Sequence, residues 1–328
     1  MTKKLRTLMI GAAALALTAG AALAENVIIG HFGSPTPMQV ARAEGKFDAA
    51  TGWTIEWRQF GSGTEVIAAM ASGDVQVAEL GSSPLSIGTS QGLDIQLFMI
   101  AQGLGTAESL IAKADSGITK VEDLTGKRIA VPVGSTAHYS LMGALSHAGI
   151  AETDVTIMNL PADQIAAAWD SGQVDAAFIW EPVQNQILQT GTFVVGADQT
   201  AAWGYPTFDG WVVNSEFAAA NPDAMVAFAK TMNEANMAYL ADPAALTADS
   251  DPVKKIAEMT GADPAQVPNI IKGFTFIPLA DQMNDTWLGG AGANMKATAD
   301  FLVKAGRIDA AVDDYSGFVN TAIAEAAK

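Results

Sequence analysis

The sequence contains one short pattern twice: SGDVQVAELGSSP at residues 72–84 and SGQVDAAFIWEP at residues 171–182. Both copies follow an Ala-rich helical segment, stop it at Gly73 or Gly172, and continue into an apolar strand. Each copy therefore predicts a helix, a turn and a buried strand that ends at the start of the next helix. Two origins remain open, internal duplication or convergence, because any strand–helix–strand unit favours these residue types.

Predicted strands and helices also alternate along the chain on either side of both copies. Predicted strands include VIIGHF, WTIEWRQF, IQLFMI, RIAVPV and TFVVGA; predicted helices include PMQVARAEGKF, TEVIAAMA and a short helix opened by the capping box TKVE at residues 119–122. The alternation predicts an α/β protein of two lobes, each a central, mostly parallel sheet flanked by helices. After WGYPTFDGWVVN the chain becomes mostly helical, so we expect lobe one at residues 25–104 and 209–328, and lobe two at residues 105–208.

The first 24 residues have the pattern of a cleavable signal peptide. Three basic residues precede an apolar run, and the segment closes on the small-residue motif Ala22-Leu23-Ala24. The apolar run is shorter than the roughly 20 residues that a membrane-spanning helix needs. The sequence therefore predicts export; the resemblance described below implies that the mature protein lies in the periplasm.

Composition narrows the classes of partner. The chain has 328 residues, a formal charge of −17 and no cysteine, so we expect a protein that is stable without disulfides even in an oxidising compartment. Strong negative charge argues against nucleic acid and anionic membrane surfaces as partners. A small solute or a protein remains, and we expect a monomer.

Two turns are candidate anion sites. Gly81-Ser82-Ser83 and Gly134-Ser135-Thr136 each follow an apolar strand and precede a helix, whose first N–H groups can bind an anion. No arginine lies in either turn, which favours a tetrahedral oxyanion such as sulfonate over a carboxylate. The alternative is that Ser and Thr serve only as N-caps.

Acidic and aromatic residues near the same strand ends are candidates for binding an ammonium group by charge and cation–π attraction. The alternatives are core packing for each aromatic residue, a solvated charge for each acid and, for Glu181, complementing a helix dipole. The candidates are Glu108, His138, Tyr139, Trp180, Glu181, Trp203 and Asp209.

Catalytic signatures are largely missing from the sequence. It has no GxSxG elbow, no phosphate-binding GxxxxGK[ST], no HExxH and no thiol, and its three histidines are not spaced as metal ligands. We therefore expect neither a metal nor a cofactor. Asp209 with His138 is the one acid–base pair that an enzyme could use.

Several motifs together resemble one family over nearly the whole mature chain. LGSSPL, KRIAVP, STAHYSL, WEP, WGYPTFDGWVV and DDYSGFV are similar to the periplasmic substrate-binding components of bacterial ABC importers for taurine, alkanesulfonates, nitrate-type anions and pyrimidine precursors. The resemblance implies the type II periplasmic-binding-protein fold, no enzymatic activity, and a membrane permease with its ATPase as partners. It also implies that the lobes close on the ligand about crossovers near residues 103–106 and 206–210.

The same resemblance implies roles for individual residues, with taurine or a close aminosulfonate as the ligand. It places four hydroxyl residues at the sulfonate, with His138 and Tyr139 nearby: Ser82, Ser83, Ser135 and Thr136. It places Glu108 and Asp209 at the amine. It also implies that Trp180 and Trp203 line the pocket. Glu181 departs from the family pattern, which has a small apolar residue before the proline, and so leaves the charge of the pocket open. A receptor for another small anion or zwitterion remains the alternative.

Overall fold

The computed structural model describes residues 24–328, so all but the last residue of the predicted signal peptide lies outside the described residues. Strands and helices alternate as far as residue 214. The first half contains β1 Asn26–His31, α1 Met38–Ala43, α2 Lys46–Thr51, β2 Thr54–Gln59, α3 Gly63–Ala71, β3 Val77–Gly81, α4 Ser82–Ser90, β4 Ile95–Gly103, β5 Glu108–Lys113, β6 Arg128–Val131 and α5 Thr136–His147.

Helices dominate the remainder. The second half contains β7 Thr156–Asn159, α6 Ala162–Asp170, β8 Ala176–Trp180, α7 Val183–Leu188, β9 Gly191–Gly196, α8 Ala197–Ala202, β10 Phe208–Asn214, α9 Ser215–Ala220, α10 Pro222–Ala241, α11 Asp251–Thr260, α12 Val267–Lys272, α13 Ala291–Lys304 and α14 Thr321–Ala326. Within residues 24–328 we find no helix whose length and apolar character would let it span a bilayer.

The strands form two five-stranded sheets of equivalent topology, in the orders β2-β1-β3-β10-β4 and β7-β6-β8-β5-β9. In each sheet four strands run in one direction, and the fourth position holds one reversed strand, β10 or β5. The predicted fold class is therefore confirmed. The two echoed segments supply β3 and β8, which occupy the same central position in the two sheets.

The chain passes between the sheets twice, from β4 to β5 and from α8 to β10. Each reversed strand is thus the first strand after a crossing. These passages lie where crossovers were expected, and the boundaries of the two lobes stay a prediction.

Local structure differs from the sequence prediction at two points. The expected single helix PMQVARAEGKF is split into α1 and α2, because Gly45 adopts φ +65°, which no residue of a right-handed helix has. The segment expected as a TKVE-capped helix is a 3₁₀ turn, Val121–Leu124. Its reciprocal cap is Asp123, whose carboxylate accepts from the backbone N–H groups of Thr119 and Lys120.

An aromatic cluster packs one face of the first sheet against α10. Phe228 is fully buried, with its ring centroid 5.0 Å from Phe47, 5.2 Å from Trp211 and 6.1 Å from Phe98. Such aromatic pairs add directional contacts to a large buried area. The helical C-terminal part of the chain is thereby fixed to the sheet that carries β10.

We expect Phe228→Ala to destabilise the protein by about 3–5 kcal/mol, because it removes buried surface and leaves a cavity among rigid rings. Met237→Ala is the matched control on the same helix: Met237 is 41% exposed, so its truncation should cost less than about 0.5 kcal/mol. Urea unfolding followed by circular dichroism measures both. Equal losses would show that the cluster does not anchor α10.

Candidate functional site

The carboxyl ends of the parallel strands and the first residues of the reversed strands meet at one edge of each sheet. In the first sheet Asp209 pairs with Gly81 on one side and with Gln102 on the other. In the second sheet Glu108 pairs with Trp180. The pairing thus sets an acid beside each strand end from which a helix begins.

A cavity with about 460 Å³ of empty space lies between these two edges and opens to solvent. It brings together six predicted residues: Glu108, Ser135, Thr136, Trp180, Glu181 and Asp209. Gly81 and Pro84, the two ends of the predicted Gly-Ser-Ser-Pro turn, also line the cavity. The rest of the lining was not predicted from the sequence and consists of Phe32, Ser34, Gly63, Leu104 and Phe274.

Two acids from opposite sheets approach each other at the inner end of the cavity. Repulsion from Glu108 contributes to raising the pKa of Asp209 well above its usual range, after burial and the repulsion from Glu79. Gln102 donates through Nε2 to Asp209 Oδ2 at 3.1 Å and to Glu79 Oε1 at 2.8 Å. One amide thus holds two carboxyl groups in place.

Glu108 is held by hydroxyl groups. Thr136 Oγ1 donates to its Oε2 at 2.5 Å and Ser140 Oγ to its Oε1 at 3.4 Å. Burial raises the pKa of Glu108 to about 8, an effect that these two hydrogen bonds only partly oppose.

The inner acids lie in the cavity without a basic side chain. None of the ion pairs formed within residues 24–328 includes Glu108, Asp209 or Glu181, and no Lys or Arg lines the cavity. Burying carboxylates without a cation is unfavourable. The cavity is therefore suited to a group that brings its own positive charge and N–H donors.

Two helices, α4 and α5, begin at the cavity, and their first turns carry hydrogen-bond donors that suit an anion. The side chain of Ser135 caps α5 by accepting from His138 N at 3.2 Å while donating to Pro132 O at 2.6 Å. Thr136 donates to Glu108, so both predicted hydroxyls of this turn already have internal partners. Apart from His138 N, which donates to Ser135, the first backbone N–H groups of α4 and α5 have no acceptor within their helices.

Five predicted residues do not line the cavity. Ser82 Oγ accepts from Phe208 N at 3.4 Å, and Ser83 Oγ is buried with no partner in the part of the chain described. His138 is fully buried, its Nδ1 accepts from Gly134 N at 3.4 Å, and burial lowers its pKa to about 4. The contacts of Tyr139 and Trp203 are with other rings.

Those two aromatic residues belong to the packing around α5. The ring of Tyr139 lies 5.4 Å from Tyr205 and 5.2 Å from Phe301, measured between centroids. Trp203 stacks on His147 at 3.9 Å with an interplanar angle of 2°. Neither ring is placed to contact a ligand in the cavity.

Besides the unpredicted lining residues, sequence reasoning missed Glu79 and Gln102, which contact Asp209 or each other beneath the cavity. Glu79 and Gln102 stand out in retrospect as polar residues near the carboxyl ends of the largely apolar segments VQVAEL and IQLFMIAQ. No pattern marks Phe274, which the C-terminal helical region brings to the cavity. Among residues 24–328, no three His, Asp or Glu side chains are grouped so as to bind a metal ion.

Three comparisons relate this chain to known proteins. The family model described as "NMT1/THI5 like" matches residues 35–246. The taurine-binding periplasmic protein of Escherichia coli K12 is 40% identical over 309 residues, which cover 94% of this chain and 96% of that protein.

Solved structures share the fold at lower identity. The alkanesulfonate-binding protein SsuA from Xanthomonas axonopodis pv. citri, bound to MOPS, superposes with a TM-score of 0.74 at 22% identity. The superposition includes 88% of this chain and 95% of the SsuA chain. The desulfurization enzyme DSZB superposes with a TM-score of 0.66 at 17% identity, over 92% of this chain and 98% of its own. The fold thus hosts both binding proteins and an enzyme.

The buried acids predict a pH-dependent stability for the ligand-free protein. A carboxyl whose pKa is raised from 4.5 to about 8, as for Glu108, holds its proton in the folded state over a range where the unfolded chain has lost it. Stability should therefore fall as pH rises through this window, by up to about 1.4 kcal/mol per pH unit for one such group.

Urea unfolding at about pH 5.5 and about pH 8 measures this difference. Glu108→Gln should reduce it, because glutamine does not titrate and can still accept from Thr136. Glu122→Gln, at an exposed position, is the control and should keep the wild-type difference. A Glu108→Gln protein with an unchanged difference would contradict the prediction.

Proposed function

Because this chain belongs to the NMT1/THI5 like family, we propose that it is the periplasmic substrate-binding protein of an ABC importer and captures taurine or a close aminosulfonate. The observation that carries the proposal is the cavity itself. Asp209 and Glu108 face each other there without a cation, beside the starts of two helices with free N–H groups. Identity of 40% to a taurine-binding periplasmic protein supports the same ligand.

The ammonium group of the ligand binds between Asp209 and Glu108. Each carboxylate accepts a charge-assisted hydrogen bond, and Gln102 and Thr136 keep the acceptor oxygens in position. The arriving positive charge favours the ionised acids, so binding releases protons that the empty site retains.

The sulfonate binds at the two helix starts. Thr136 contributes its N–H group from the start of α5, Gly81 and Pro84 bring the start of α4 to the same cavity, and the positive ends of both helix dipoles face the anion. Pro84 follows in α4 and has no N–H to offer. Three sulfonate oxygens can accept from donors that converge from two lobes.

The arrangement disfavours the two other classes of function. A small anion without an amine would bring no cation to favour the ionised forms of Asp209 and Glu108, so it could use only the helix starts and not the acids. An enzyme using His138 with Asp209 would need both at the reacting atoms, but His138 does not line the cavity and bonds to Gly134. The protein therefore delivers its ligand unchanged to a permease and the associated ATPase.

Capture involves closure of the two lobes, and Gly81 is the position where they approach. A Cβ atom built on Gly81 would lie 2.9 Å from Thr136 Cγ2, closer than carbon atoms tolerate. The closed arrangement thus depends on the missing side chain at the end of β3.

Asp209→Asn should weaken taurine binding at least about thirtyfold, because it removes one buried charge from the ammonium site while keeping the side-chain shape. The same variant should lose much less of its affinity for ethanesulfonate, which lacks the amine. Isothermal titration calorimetry measures both, with Asp170→Asn on the exposed surface of α6 as the control. Equal losses for the two ligands would mean that Asp209 supports the fold rather than the amine.

Gly81→Ala should weaken taurine binding about tenfold or more, since the added methyl group holds the lobes apart. Adding Thr136→Ser removes the opposing methyl group but keeps the hydroxyl that donates to Glu108. The double variant should therefore bind better than Gly81→Ala alone. If it binds no better, the new methyl group fills ligand space instead of obstructing closure.

A further inference from the structure

Glu181 is a buried carboxyl group for which the proposed taurine site has no use. It is 8% exposed, and its position directly after β8 is fixed by its backbone N–H, which donates to Ala107 O at 3.2 Å. The side chain has one protein partner, Asn185 N, which donates to Oε2 at 3.3 Å. It takes part in none of the ion pairs formed within residues 24–328.

This carboxyl group lies where the inner cavity meets a wider outer groove. Glu181, Trp180 and Phe32 line both spaces, whereas Asp209 and Glu108 line only the inner one. The outer groove has about 1360 Å³ of empty space and runs between the turn before α3 and the start of α6. A ligand held at the inner acids can therefore extend past Glu181 without leaving the protein.

The surroundings of Glu181 suit a planar basic group that can stack on aromatic rings. Trp180 and Phe32 present aromatic surface beside the carboxyl group. A guanidinium ion is planar, stacks on aromatic rings and presents a fork of N–H donors that matches a carboxylate. An ammonium group is compact and strongly hydrated, and once it is bound between Asp209 and Glu108 it has no second nitrogen to offer to Glu181.

Electrostatics support a cationic occupant. Burial raises the pKa of Glu181 to about 7, so the empty site holds this acid partly protonated. Glu65 and Asp163 line the outer groove, and no Lys or Arg of residues 24–328 does so. A cation that enters along the groove meets acidic side chains from the mouth to the inner site and no basic side chain of the groove or cavity lining.

We propose that Glu181 binds a second basic nitrogen of the ligand, so that guanidino sulfonates are the preferred class, with 2-guanidinoethanesulfonate as the simplest member. The inference rests on the proposed function, since it keeps the sulfonate at the starts of α4 and α5. The guanidinium then reaches from Asp209 and Glu108 to Glu181 along the faces of Trp180 and Phe32.

Isothermal titration calorimetry with taurine and 2-guanidinoethanesulfonate tests the proposal on the mature protein. The wild type should bind the guanidino ligand about tenfold more tightly than taurine, the gain expected from an added charge-assisted hydrogen bond. In Glu181→Gln this ratio should fall to about one, because glutamine keeps the acceptor for Asn185 N but has no charge. Asp170→Asn, at an exposed position of α6 that lines neither the cavity nor the groove, should keep the wild-type ratio.

Two results would overturn the inference while leaving the proposed function intact. One is a wild type that binds taurine as tightly as the guanidino ligand or more tightly. The other is a preference that persists in Glu181→Gln. Binding of neither sulfonate would instead overturn the proposed function and this inference together.

Discussion

Each sheet contains one strand that runs against the other four, and the ligand site depends on that reversal. Parallel strands bring only their carboxyl ends to the edge where helices begin. A reversed strand brings its amino end to the same edge, which places Asp209 of β10 and Glu108 of β5 beside the starts of α4 and α5. Since both reversed strands follow a crossing of the chain, the segments that connect the lobes also position the acids.

The chain keeps these acids buried by giving each a neutral partner. Gln102 donates to two carboxyl groups at once, and Thr136 and Ser140 donate to Glu108. Neutral donors hold the oxygen atoms in place without neutralising their charge, so burial still penalises the ionised forms. A ligand that supplies positive charge relieves this penalty, whereas an internal lysine or arginine would have competed with it.

Much of the cavity could be predicted from local sequence signals. The Gly-Ser turns at strand ends and the acids at residues 108, 181 and 209 marked where the edge would be, because strand and helix boundaries follow from periodicity and turn chemistry. Tyr139 and Trp203 carried the same kind of signal, yet they pack around α5. Sequence alone does not tell which side of a helix faces the cleft when, as in α5, nearly every residue is buried.

The sequence by itself determined two strand–helix series, the reuse of one helix–turn–strand unit, and an acidic protein without disulfides. Those features are local or compositional, so they follow from residue periodicity, turn-forming residues and overall composition. Only the tertiary structure decided that Asp209, Glu108 and Glu79 share one charged environment, that Gln102 bridges two of them, and that Glu181 lies between an inner cavity and an outer groove. These relations join residues more than 20 positions apart, and strand register fixes them.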